Sequence, residues 1–239
     1  MDPSPRRRRR SVRSESGFTL LELAMAMAIL MIVTGIFLPT LIRAQQTVGT
    51  AADRSMSNDQ ARLAVEELDK EIRSGNLLYT PSTCPPPPGN PNGPATCDAA
   101  NGITPNMTLL IYTQTNANTR NPGNQCVQWR ITAVDATGVS RLERRAWSVN
   151  WQSDGIVSGW RDVADNVVNR QPPGGGGAVS AFALDPTAAF GNRSVQILVL
   201  TNGNPNDRSS ATVRTSTELT GRNTEYGYPS NICTTIPVY

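Results

Sequence analysis

One carboxylate, Glu22, interrupts an otherwise uncharged apolar run. Between Phe18 and Ile42 it is the single charge in 25 residues, and from Leu23 onward twenty consecutive residues carry none. A carboxylate in such a segment costs about 2.5 to 3.5 kcal/mol on membrane-insertion scales, so its chemistry is that of an ion in need of a cation. The cysteines Cys84, Cys97, Cys126 and Cys233 are the other reactive side chains. Their even number reads as disulfides, with three connectivities open. The preferred one joins Cys84 to Cys97 around a short Pro-rich loop and ties the C-terminal tail to a strand through Cys126 and Cys233. Metal ligation by the four cysteines is disfavoured, because no C-x-x-C pair is present. Asn202, Asn204, Asn206 and Asp207 alternate oxygen-bearing side chains and form a weak calcium candidate. A turn rich in Asn, Gly and Pro between two strands explains them more simply. The chain contains no histidine, which removes Ser-His-Asp and Cys-His catalysis and His-ligated metals. No other nucleophile constellation is evident, so neither an enzyme nor a cofactor is expected.

The elements that must position these residues begin with the apolar run. Twenty uncharged residues at about 1.5 Å each reach about 30 Å, one hydrocarbon thickness. Six arginines, Arg6 to Arg10 and Arg13, precede it against Asp2 and Glu15. The positive-inside rule therefore keeps the first seventeen residues in the cytoplasm and sends the rest outward. With that block set aside, sixteen basic and seventeen acidic residues remain. A near-neutral body disfavours a broad nucleic-acid surface, although Arg141, Arg144 and Arg145 form a small basic cluster. Pro39 inside the helix predicts a kink or break, eased by Gly35.

After Ile42 the pattern turns amphipathic. Ala61, Val65, Leu68 and Ile72 form one apolar stripe, Glu66 with Lys70 and Asp69 with Arg73 are favourable i,i+4 pairs, and Gly75 reads as a C-cap. The stretch from Thr47 to Asn58 is a weaker helix former. Beyond residue 78 short β-rich segments take over at Met107 to Thr113, Cys126 to Val134, Val139 to Ala146, Ser194 to Thr201 and Thr212 to Leu219. Asp135 to Gly138 closes a hairpin, and Pro172 to Gly177 reads as a loop. Trp129, Trp147, Trp151 and Trp160 are read as core and half-buried strand residues. The sequons at Asn106 and Asn192 carry little weight. The fold class expected is α+β, a long helix packed on an antiparallel sheet.

A secretory signal has the same basic-then-apolar order, but with a shorter core and a small-residue exit. The string Ser16-Gly17-Phe18-Thr19-Leu20-Leu21-Glu22 instead resembles a type IV prepilin. That resemblance implies cleavage after Gly17, N-methylation of Phe18, and an assembly role for Glu22, whose partner would be the Phe18 amine of a neighbouring subunit. It also implies a proline-dependent bend or melt at Pro39 in filaments. Ala61 to Arg73, Gln128 to Ile131, Leu142 to Arg145 and Gly221 to Asn223 are loosely similar to minor pilins and pseudopilins of the J/W type. The organisation implied is a cleaved leader over 1–17, a transmembrane or filament-core helix over 18–42, its amphipathic continuation over 43–75, and an extracytoplasmic head over 76–239. The implied partners are other major and minor pilins, prepilin peptidase, an inner-membrane assembly platform and membrane lipid. The implied location is the cytoplasmic membrane, then the pilus or cell surface. A DNA-binding or adhesive head is the alternative reading.

Overall fold

The computed structural model describes residues 17, 19–82, 84, 97–98, 103–114, 123–172, 175–184, 194–204, 212–221 and 231–237. Two compact units divide at Val48 and Gly49, and α1 (Leu20–Ser74) contributes to both.

In the first unit, residues 19–48 are exposed along the helix. The helix begins at Thr19, whose carbonyl accepts the Glu22 amide at 3.0 Å and whose hydroxyl accepts it at 3.3 Å. Thr19 and Glu22 thus occupy the first and last positions of an S/T-x-x-E capping sequence, with the acid in the positive first turn. The chain stays helical through Pro39, so of the kink or break expected there the helix shows no break. Thr40 donates its hydroxyl to the Ile36 and Phe37 carbonyls, so this polar group is satisfied within the helix beside the proline.

Among the described residues, the second unit is an eight-stranded antiparallel sheet crossed on one face by the remainder of α1. Strands β1 (Gly75–Leu78), β2 (Thr108–Gln114), β3 (Asn124–Ile131), β4 (Ser140–Ser148) and β5 (Arg161–Val167) pair in chain order. A short helix, α2 (Trp151–Asp154), lies between β4 and β5. β6 (Phe182–Leu184), β7 (Ser194–Asn202) and β8 (Thr212–Thr220) form a second group, joined to β5 through the single pair Val167 with Thr201.

Five strands fall within a few residues of their expected positions. Residues 132–134 leave β3 early because they begin the β3–β4 turn, where Asp135 N donates to Val139 O and Gly138 has φ 86°. The Thr137 hydroxyl bonded to Asp135 holds that carboxyl below its ordinary value, helped by backbone amides. Gly75 is not a left-handed cap but the first residue of β1. A Cβ there would meet Ile111 Cγ2 and Ile72 O at 3.0 Å, so glycine permits the close approach of strand to helix.

Alternation along each strand splits the interior in two. Leu109, Ile111, Val127, Trp129, Ile131 and Leu142 face Ala64, Leu68 and Ile72 of α1. Val65 of the expected stripe is only partly buried, and Ala64 takes its place. On the opposite face Leu110, Tyr112, Cys126 and Trp147 are covered by Cys233 and Ile236 of the C-terminal segment. Asp69 pairs with Arg73 as expected, whereas Glu66 pairs with Arg62 rather than Lys70.

Candidate functional site

The N-terminal segment and the head offer different chemistry. In the first unit the side chains from Leu20 to Ile42 are uncovered and, apart from Glu22, Thr34 and Thr40, apolar, Leu20 and Met31 being 86% and 74% exposed. Glu22 is exposed in the first helical turn, and nothing lies within 4 Å of a Cβ built on Gly17. The polar hydroxyls here turn inward: Thr34 donates to the Leu30 carbonyl at 2.7 Å, as Thr40 does to Ile36. A helix with these hydroxyls satisfied internally and its apolar side chains outward suits lipid or other helices. α1 is long and apolar enough to cross a membrane. Phe18 lies outside the described residues.

The head is fastened to its own part of the helix by an ion network that the apolar stripe concealed. Glu71 sits on the buried face between Leu68 and Ile72. Its Oε2 accepts Trp129 Nε1 at 2.6 Å, and its Oε1 accepts the guanidinium of Arg144. Glu67 forms an ion pair with Arg144, at 3.4 Å, and accepts a hydrogen bond from Arg161. Burial raises the Glu71 carboxyl above its ordinary value, and the charge of Glu67 adds to this against the opposing bonds of Arg144 and Trp129. A charged residue three positions beyond Leu68 was the visible signal.

The basic cluster of the sequence is dispersed by strand alternation. Arg144 faces the helix, while Arg145 points to the other face, is 2% exposed, and donates to Gln128 Oε1 at 3.0 and 2.8 Å. Arg141 is half exposed and pairs with Asp162 at 3.4 Å. Arg130 and Arg145 stack on the Trp160 ring at 3.7 and 4.5 Å, and Arg130 pairs with Glu143 at 2.7 Å. These guanidinium groups tie the sheet together and do not form one basic face. Trp129 and Trp147 are core residues and Trp151 and Trp160 are half-buried.

Cys84 is bonded to Cys97 and Cys126 to Cys233, with Cα separations of 5.3 and 5.7 Å. Of the calcium candidate, Asn202 is buried and its Oδ1 accepts the Asn204 amide at 3.1 Å, while Asn206 and Asp207 lie outside the described residues. No group of three or more His, Cys, Asp or Glu among the described residues could hold a metal ion. A groove of about 590 Å³ is lined in part by Gln125, Arg144, Ser148, Asn150, Asp154 and Ser158.

A long apolar N-terminal helix followed by an antiparallel sheet head is an α+β, pilin-like fold. Residues 12–38 match the family model of the prokaryotic N-terminal methylation motif. The N-terminal segment is therefore similar to that of type IV prepilins, and the match supports a prepilin-like chain of the kind that prepilin peptidase acts on. No match to a curated protein was found.

Proposed function

We propose that this chain is a minor pilin or pseudopilin that initiates, caps or decorates a type IV pilus or a related secretion or DNA-uptake filament. The observation that carries the reading is the methylation motif over 12–38, running directly into an uncovered apolar helix. Cleavage falls between Gly17 and Phe18, and Phe18 becomes the methylated N-terminus. The new amine is cationic at neutral pH, which offers Glu22 of an entering subunit its counter-ion on a neighbouring subunit and sets axial register. The arginines of the leader orient the chain, leaving the head outside the cytoplasm.

The role is structural. Its partners are other pilins, the peptidase and the assembly platform, and the disulfides suit an oxidising compartment. Dispersal of Arg144 and Arg145 to opposite faces of the sheet favours this reading over a DNA-binding head. Intact mass and N-terminal sequencing of the protein from cells with and without prepilin peptidase test it. A peptidase-dependent N-terminus at methylated Phe18 is expected. An uncleaved chain in both strains, or a cut beyond residue 42, would remove the assembly role of Glu22.

A further inference from the structure

The far end of the sheet carries a strand with an open side. β7 pairs with β8 along nine consecutive positions, from Ser194 with Thr220 to Asn202 with Thr212. Val195 to Ile197 also pair with β6, and Thr201 with β5, so both of those strands lie on the side of β7 opposite β8. Among the described residues, no strand pairs with the outer edge of β8. The strand has no proline, and its register with β7 is unbroken, unlike the shifted registers of β1 with β2 and β4 with β5. Such a regular edge is a template for another strand unless charge, proline or a bulge blocks it.

Its two charges are arranged to admit one particular strand. Arg214, Ser216 and Glu218 share the exposed face, and Arg214 and Glu218 are symmetric about Ser216. An antiparallel copy of β8 centred on Ser216 sets each Arg214 opposite the other copy's Glu218, Thr212 opposite Thr220, and Val213 opposite Leu219. Shifting the centre to Thr215 or Thr217 breaks both charge pairs, so charge selects the register. The Ser194 hydroxyl bonds one oxygen of Glu218, which keeps that carboxylate on this face with its second oxygen as acceptor.

We propose that β8 is a self-complementary docking edge, at which two copies of this chain join head to head through antiparallel β8–β8 pairing about Ser216. The contact uses the same patch on both copies and closes at two. It is thus distinct from the open, repeating packing of a filament, and it does not depend on the pilin reading.

Cross-linking of the full-length protein in its own membrane tests this. Directly opposed residues in an antiparallel pair have Cα atoms about 4.5 to 5.5 Å apart, within disulfide range. Ser216→Cys should therefore form a dimer of twice the chain mass on mild oxidation. Thr212→Cys, which would face Thr220, should not, whereas Thr212→Cys combined with Thr220→Cys should. Adding Arg214→Glu to Ser216→Cys opposes like charges twice and should lower the cross-linked fraction about fivefold. The further change Glu218→Arg should restore it to within about twofold. Cross-linking at 216 no better than at 212, products of any other mass, or failure of the charge swap to restore the dimer would each overturn the proposal.

Discussion

Replacing Cys126 and Cys233 together by alanine should cost the second unit more stability than replacing Cys84 and Cys97. The bridges close chains of very different length, a sequence separation of 107 against 13. Closing a loop of n residues lowers the unfolded-chain entropy by about 2.1 + 1.5R ln n cal/mol/K, or about 4.8 kcal/mol at 25 °C for the long loop and about 2.9 for the short. The C-terminal segment keeps three other ties: Cys233 N to the Tyr79 hydroxyl, Trp151 Nε1 to Thr235 O, and Arg145 Nη1 to Pro237 O. At about 0.5 to 1.5 kcal/mol net for each neutral bond and about 1.5 to 3 for the guanidinium one, these ties hold the segment in the folded state but do not restrict the unfolded chain as the bridge does. The assay is urea unfolding of the full-length protein in detergent, followed by tryptophan fluorescence, with Trp129 and Trp147 as buried reporters. With a urea slope of about 2 kcal/mol/M, the midpoint should fall by roughly 2.4 M for the long-loop variant and 1.5 M for the short-loop one. An equal or larger fall in the short-loop variant would refute the reasoning, because chain length would then not set the ranking.

Three further outcomes are expected. The raised carboxyl of Glu71 binds its proton more readily in the folded than in the unfolded chain, so its contribution is complete below the ordinary value of 4.5 and is lost as pH rises through the folded value. Glu71→Gln should flatten that part of the stability curve, read as urea midpoints from about pH 4 to 7; an unchanged slope would count against it. A Cβ on Gly203 would lie 2.8 Å from the backbone carbon and oxygen of Asp53. Gly203→Ala should therefore cost about 1 to 3 kcal/mol by overpacking, and a variant as stable as the parent in thermal unfolding would contradict that contact. Asn169 donates to the Val179 and Leu198 carbonyls and accepts the Leu200 amide, standing in for a missing stretch of ladder. Asn169→Leu should cost about 1 to 3 kcal/mol and raise amide exchange at Leu200.

Local chemistry made much of this protein legible. The apolar run, its preceding arginines and the Gly17-to-Glu22 string are contiguous, and so are the five strands recognised by their alternation and the turn at Asp135 to Gly138. The Thr19 cap is also legible as a T-x-x-E string, although the apolar run that follows masks it. β5 and β6 escaped because Arg161 to Val167 is largely polar and Phe182 to Leu184 is three residues long. Neither carries a period strong enough to stand against its surroundings.

What the tertiary structure alone decided is where each charge goes. Arg144 and Arg145 are neighbours in sequence, but a pleated strand sends them to opposite faces, one to Glu71 and the other to Gln128 and Trp160. Glu71 became a buried fastening because Trp129 and Arg144, 58 and 73 residues away, converge on it. Gly75 became a strand because Ile111 closes on it, and β8 is an edge because, among the described residues, no strand pairs with its outer side. The sequence by itself determined the long helix, five of the strands and the membrane-spanning candidate, since those preferences act over a few residues. Partner choice among buried charges and strand edges is non-local, and it is settled only when packing removes water and forces each polar group to find its complement.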